Sequence, residues 1–152
     1  MQRPIKRHEA IKPMSREHHH GLLVGWKIRM GIRKEISPVR IKKYLNWFYT
    51  HHLLPHFLME EQHLFPVLGP SHEEVQEALN HHHQIHQFFM KENVSVNDLI
   101  DFEQLMTKHI RFEERTLFNT IQSQADETTM QLLEEHLSDH SFQDNESDPF
   151  WI

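Results

Sequence analysis

The feature that most constrains this chain is a helical pattern that it carries twice. Residues His56 to Leu68 read His-Phe-Leu-Met-Glu-Glu-Gln-His-Leu-Phe-Pro-Val-Leu. Residues His109 to Ile121 read His-Ile-Arg-Phe-Glu-Glu-Arg-Thr-Leu-Phe-Asn-Thr-Ile. Histidine, both glutamates, leucine and phenylalanine fall in register, 53 positions apart. On an α-helix, residues four apart lie one above the other on the same face. His56 with Glu60, and His109 with Glu113, therefore each point an imidazole and a carboxylate the same way. A single pair of this kind reads as a surface contact. Two pairs, each set among Phe and Leu at core spacing, bury groups whose desolvation needs a partner, and a metal ion is such a partner. Each copy reads as half of a metal site.

The rest of the chain divides into helices around these copies. Residues 1–14, with Pro4 and Pro13, read as an N-terminal arm. Ser15 caps a first helix over 16–34, with an expected inner stripe of His19, Leu22, Leu23, Trp26 and Met30. Ser37-Pro38 starts a second helix that runs to Leu68, kinked at Pro55 and stopped by Gly69-Pro70. Its stripe reads Leu45, Tyr49, His52, His56, Glu60, His63 and Val67. Ser71-x-x-Glu74 is a capping box for a third helix over 72–91, with Val75, Leu79, His82, Ile85, His86 and Phe89 inward. A polar connection leads to a fourth helix over 98–123, with Phe102, Leu105, Met106, His109, Phe112, Glu113 and Leu117 inward. A shorter helix over 126–139 and an acidic tail from Ser141, ending Pro-Phe-Trp-Ile, are expected to pack on the helices before them. No segment alternates as a strand would. The expected fold is all-α, an antiparallel up-down four-helix bundle over 15–123, between the arm 1–14 and the C-terminal segment 124–152.

Histidine is in excess, at 16 of 152 residues, and clusters at 18–20, 51–52 and 81–83. In the first and third clusters the middle member has apolar residues three and seven positions on, Leu22 and Trp26 after His19, Ile85 and Phe89 after His82. The middle members are therefore expected to face inward; a register shifted by one residue would bring in His18 instead. His82 and His86 form a further i,i+4 pair. The expected metal donors are His19, His56, Glu60, His82, His86, His109 and Glu113. Five imidazoles, two bridging carboxylates and a bridging oxo or hydroxo group would leave one position open, on one ion of a pair. Other classes of function are excluded by composition. There are no cysteines, so thiolate-bound zinc and iron–sulfur clusters are out. A net charge of -6 argues against nucleic acid. No apolar run reaches the ~20 residues of a membrane span, and Met1 to Ser15 lacks the apolar stretch of a signal peptide, so a cytoplasmic protein is expected.

With these residues in hand, the chain resembles the hemerythrin-like family, the HHE cation-binding domains. The likeness rests on a histidine in the first helix, His56-x-x-x-Glu60 in the second, His82-x-x-x-His86 in the third and His109-x-x-x-Glu113 in the fourth, and covers 15–123. The resemblance implies a non-haem di-iron centre, with zinc or manganese as substitutes, that binds or senses O₂, NO or peroxide, or stores iron. Oxygen carriers of the family use an aspartate five residues after the fourth-helix histidine. Here Glu113 is at four, and Glu114, at five, is a rival donor. His52, one turn before His56, adds a titratable group as ligand, outer partner or proton relay. Two other readings stay open. A ferritin-type di-iron oxidase or peroxidase would need Glu-x-x-His on two helices. Glu17-x-x-His20 and Glu60-x-x-His63 match it, but Thr116 stands where the fourth helix needs histidine. Alternatively, zinc or a mixture of metals holds the bundle together, since imidazole suits several metals.

Overall fold

A computed structural model describes residues 6–137 and 142–152. The first five residues of the arm, and residues 138–141 where the last helix was expected to end and the tail to begin, lie outside the described residues. Every regular element among the described residues is helical. Helix α1 spans Lys12–Arg33. It starts before Ser15 because Pro13, in its first turn, costs no intrahelical bond there. Ala10, Ile11 and Met14 are also fully buried, so the arm is packed as far as it is described beyond His8.

The second helical stretch opens with α2, Pro38–Phe48, capped by the Ser37 side chain, which accepts from the Arg40 N–H. It continues through a π-helical turn, Tyr49–Leu53, then α3, Leu54–Met59, a second π-helical turn, Glu60–Leu64, and a 3₁₀ turn, Phe65–Val67. Pro55 thus sits in the first turn of α3, and the change of helical register falls just upstream of it. Gly69, at φ 90°, ends the stretch in a conformation that favours glycine. Helix α4, Glu73–Met90, is capped by His72, whose Nδ1 accepts from the Glu74 N–H at 3.1 Å. Ser71, expected to be the cap, lies in the turn before it. Helix α5, Val96–Phe112, begins at a Ser95/Asp98 capping box within the stretch read as a polar connection. A third π-helical turn, Glu113–Leu117, joins it to α6, Phe118–Gln124. Helix α7, Glu127–His136, is capped by Asp126.

Two apolar clusters form the core. One gathers Val24, Ile28, Leu45, Phe48, Leu53, Phe57, Ile85, Met106 and Ile110, the other Ile11, Met14, Leu64, Phe65, Val75, Ala78, Leu117 and Phe118. Between them along the chain lie buried His18, His56, Glu60, His81, His82, His109 and Glu113. Helix α1 enters from the second cluster and leaves through the first; the second stretch reverses that order, α4 reverses it again, and α5 with its π turn reverses it once more. Helix α5 packs against both α1 and α4. The buried α1 face is small, with Gly21 and Gly25 toward α5 and Gly31 toward Ile41 and Phe150, whereas Leu22, Leu23 and Trp26 are exposed. The expected α1 stripe is therefore off by one residue. No helix among the described residues is long and apolar enough to cross a membrane.

Candidate metal centre

The polar layer holds two groups of potential donors, His18, His56, Glu60 and Glu113, and Glu60, His82, His109 and Glu113. In each group one ligand atom per residue lies within 4.8 Å of all the others, and both glutamates belong to both groups. The sequence repeat supplies the centre: His56 and Glu60 from the second stretch, His109 and Glu113 from the fourth. Glu60 and Glu113 are each the first residue of a π-helical turn. Such turns are rare in helices and concentrate at functional sites. The extra backbone residue in each turn rotates the helix downstream of it, so Leu64 and Leu117 return to the apolar core one turn below the carboxylates.

Each carboxylate faces two imidazoles. Glu113 Oε1 is 2.9 Å from His18 Nε2 and 3.2 Å from His109 Nε2. Glu60 lies 3.2 Å from His82 Nε2 through Oε1 and 3.5 Å from His56 Nε2 through Oε2. The outward ring nitrogens are held as well. His18 Nδ1 is 2.7 Å from Glu114, His56 Nδ1 2.9 Å from Glu17, and His82 Nδ1 2.9 Å from Glu61. His109 Nδ1 meets another imidazole, His81 Nδ1, at 3.1 Å. These outer partners orient the rings and leave Nε2 to the centre.

The electrostatics are those of a cluster short of positive charge. Burial opposes protonation of His18, but its hydrogen bonds to Glu113 and Glu114 override it and push the imidazole up to about 9. Burial likewise opposes charge on His82, and Glu60 and Glu61 raise it to about 9. Burial dominates at His109 and pushes it down to about 4, against the pull of Glu113. Burial and the neighbouring Glu113 charge raise Glu60, whereas Glu113, despite its burial, is held low by His109 and His18. Even so, His56 Nε2, Glu60 Oε2, His109 Nε2 and Glu113 Oε2 are buried with no hydrogen-bond partner. Four orphaned polar atoms in one layer, imidazole beside carboxylate, fit a bound cation. The buried His and Glu cluster could hold a metal ion.

The sequence expectations meet this geometry unevenly. His56, Glu60, His82, His109 and Glu113 come together as expected. His19 is exposed, and His18 takes its place. His86 is half-buried but outside both groups; its Nδ1 accepts the Tyr49 hydroxyl proton at 2.5 Å, one turn along α4 from His82. The i,i+4 spacing was right for a shared face, but the phenol captures the outer imidazole. Glu114, the rival donor, lies outside both groups and faces His18 Nδ1, with Arg7 3.1 Å away on its other side. His52 is not among the donors and lines a cavity beside them. His63 stacks on His136, ring centroids 4.7 Å apart. Sequence reasoning missed Glu17, Glu61 and His81 as partners. A signal for Glu61 was present: in each copy a second glutamate follows the first, and each turns to a histidine from another helix.

The cavity has a volume of about 30 Å³ and reaches His18, His56 and His109 between Phe48, Leu53, Phe57 and Met106. Met106, on the expected inner stripe of the fourth helix, lines it, while Leu23 and Trp26, on that of the first, face outward. A water needs roughly 10–15 Å³, so the space suits a molecule of two or three heavy atoms. Comparison of the chain with family models, with curated proteins and with solved structures finds no match.

Proposed function

We propose that this chain is a hemerythrin-like protein, an antiparallel four-helix bundle that holds two metal ions, iron in the native state, and binds O₂, NO or peroxide beside them. The observation that carries the reading is the pair of donor groups that share both glutamates. The reversal of core order from one long helical stretch to the next supports the up-down arrangement. A mixed imidazole and carboxylate donor set suits iron, and zinc or manganese as substitutes. When bound, a pair of iron ions would supply reversible one-electron chemistry toward a small ligand.

The chain's own residues divide the work. Glu60 and Glu113, common to both donor groups, would hold both ions, and the Nε2 atoms of His18, His56, His82 and His109 would complete the centre. Glu17, Glu61 and Glu114 accept the Nδ1 protons of three of these rings and keep them in the ligating tautomer. With four imidazoles instead of five, and two carboxylates common to both groups, the donor set would hold two ions and leave capacity for a small ligand. Phe48, Leu53, Phe57 and Met106 give the space beside His18, His56 and His109 an apolar lining. His52, which lines that space, can hold or deliver a proton there. That placement favours a sensor or scavenger, in which a reduced ligand leaves with a proton, over a carrier.

The test is metal analysis and gas reactivity together. Protein reconstituted with ferrous iron without air should take up about two ions per chain and change its visible spectrum with O₂ or NO. One ion at saturation overturns the dinuclear reading. Two ions with no response to either gas favour a metal held for stability alone. His52→Leu should lengthen the life of the O₂ product, and an unchanged lifetime refutes the relay.

A further inference from the structure

One wall of the cavity comes from outside the helices. Phe142, in the C-terminal segment, lines it together with Phe57 and Met106. Its ring stacks on His20, centroids 4.2 Å apart and planes 11° apart, and lies 4.7 Å from the His52 ring. His20 and His52 also line the cavity, so these three rings stand together at its edge. Past Phe142 the segment is fastened at several points. Asp144 accepts the Tyr44 hydroxyl proton at 2.5 Å and pairs with the buried Lys27. Asp148 pairs with Arg40 at 2.7 Å, Lys27 sits 3.9 Å over the Trp151 ring, and Phe150 is buried beside Gly31.

We propose that Phe142 is the gate of this cavity and sets the size limit on what reaches the donor set, with residues 144–151 as the strap that holds it. The proposal rests on the reading of the donor set as a metal centre. The strength of the two attachments differs. The strap ends in a buried cation and a buried ring, both costly to expose, whereas Phe142 itself is held by ring contacts on a half-buried surface. Loop side chains of this kind move on nanosecond to microsecond times without loss of the anchor. The ring can therefore swing while the strap stays put, passing diatomics and small linear anions and refusing organic substrates. No other described residue that lines the cavity lies outside the helical stretches.

The experiment compares wild type with Phe142→Ala and Asp144→Asn, using azide as the probe. In iron-reconstituted, air-oxidised protein, azide binding is followed by stopped-flow absorbance. A gate controls entry and exit alike, so Phe142→Ala should speed association and dissociation about tenfold or more while Kd stays within about threefold. Asp144→Asn keeps the ring but loosens the strap and should speed both by less; it carries the test if Phe142→Ala does not fold. The metal-free protein gives a second reading through diethyl pyrocarbonate, which labels neutral imidazole. Labelling of His56 and His109, both unpartnered at Nε2, should accelerate in the variants while exposed His19 and His83 label as in wild type. Wild-type rates in both assays overturn the gate, as does a changed Kd with an unchanged association rate. If azide gives no spectral change in any of the proteins yet His56 labels faster in Phe142→Ala, the metal reading fails and the gate stands.

Discussion

His18 and His82 carry the charge balance of the centre. Each is held protonated to about 9 by the two carboxylates it touches, against its burial. A cation that takes their Nε2 atoms must displace those protons, so adding zinc or ferrous ion to metal-free protein near neutral pH should release about two protons or more per chain. A pH-stat measures this, and uptake without release would contradict a site built on these rings. The same groups set the pH dependence of the metal-free fold. Their folded pKa values lie above the ordinary 6.5, so the stability they contribute is complete below about 6.5 and is lost as pH rises through about 9. The unfolding temperature of metal-free protein should therefore fall between about pH 7 and about pH 10, and His18→Asn should flatten the fall. Substitution separates inner from outer histidines. His18→Ala should lower metal content at least tenfold, whereas His19→Ala and His86→Ala should retain it, because removing a ligand costs far more than removing an exposed or second-turn ring. Metal counting on dialysed protein decides between them; loss in His19→Ala alone would return helix α1 to the register that its apolar stripe suggests.

Among the elements, α1 shows how a helix can bury its less apolar face. Gly21, Gly25 and Gly31 line the face against α5 and the tail, and a Cβ on Gly31 would come within 2.8 Å of both Ile41 Cδ1 and the Phe150 ring. Both neighbours are buried, so the contact cannot be relieved by a rotamer change into solvent. Gly31→Ala should cost about 1–3 kcal/mol as overpacking, read by urea denaturation, and should make the segment after Phe142 more sensitive to protease. Equal stability with an equally resistant tail would mean that Phe150 does not occupy this niche. The π-helical turns at Glu60–Leu64 and Glu113–Leu117 matter at the same scale. They let one helix offer a carboxylate to the polar layer and still return its next leucine to the core.

For the molecule as a whole, the buried layer is a cost that a bound cation would offset. Two carboxylates and four imidazoles sit between two apolar clusters, and four of their polar atoms have no partner. A metal bound by the folded chain alone stabilises it by mass action, by about 2.7 kcal/mol at a free concentration a hundred times Kd. Calorimetry should show the melting temperature rising with added ferrous or zinc ion and returning with chelator, and an unchanged melting temperature at saturating metal would contradict a centre formed by folding. By itself the sequence determined that the chain is helical, that its two His-x-x-x-Glu copies meet, and that His82 joins them. Those conclusions rest on period and spacing, which are local properties of a helix. Tertiary structure alone decided which of three adjacent histidines in α1 faces inward. The hydrophobic stripe Leu22, Leu23 and Trp26 argues for His19, but the close approach of α5 takes the glycine face, Gly21 and Gly25, and His18 turns to the centre with it. It also decided that His86 serves Tyr49, because a partner 37 residues away in the chain leaves no mark on local spacing. The cavity wall at Phe142 is of the same kind: a contact of the tail with His20 and His52 on two helices, which no local spacing announces.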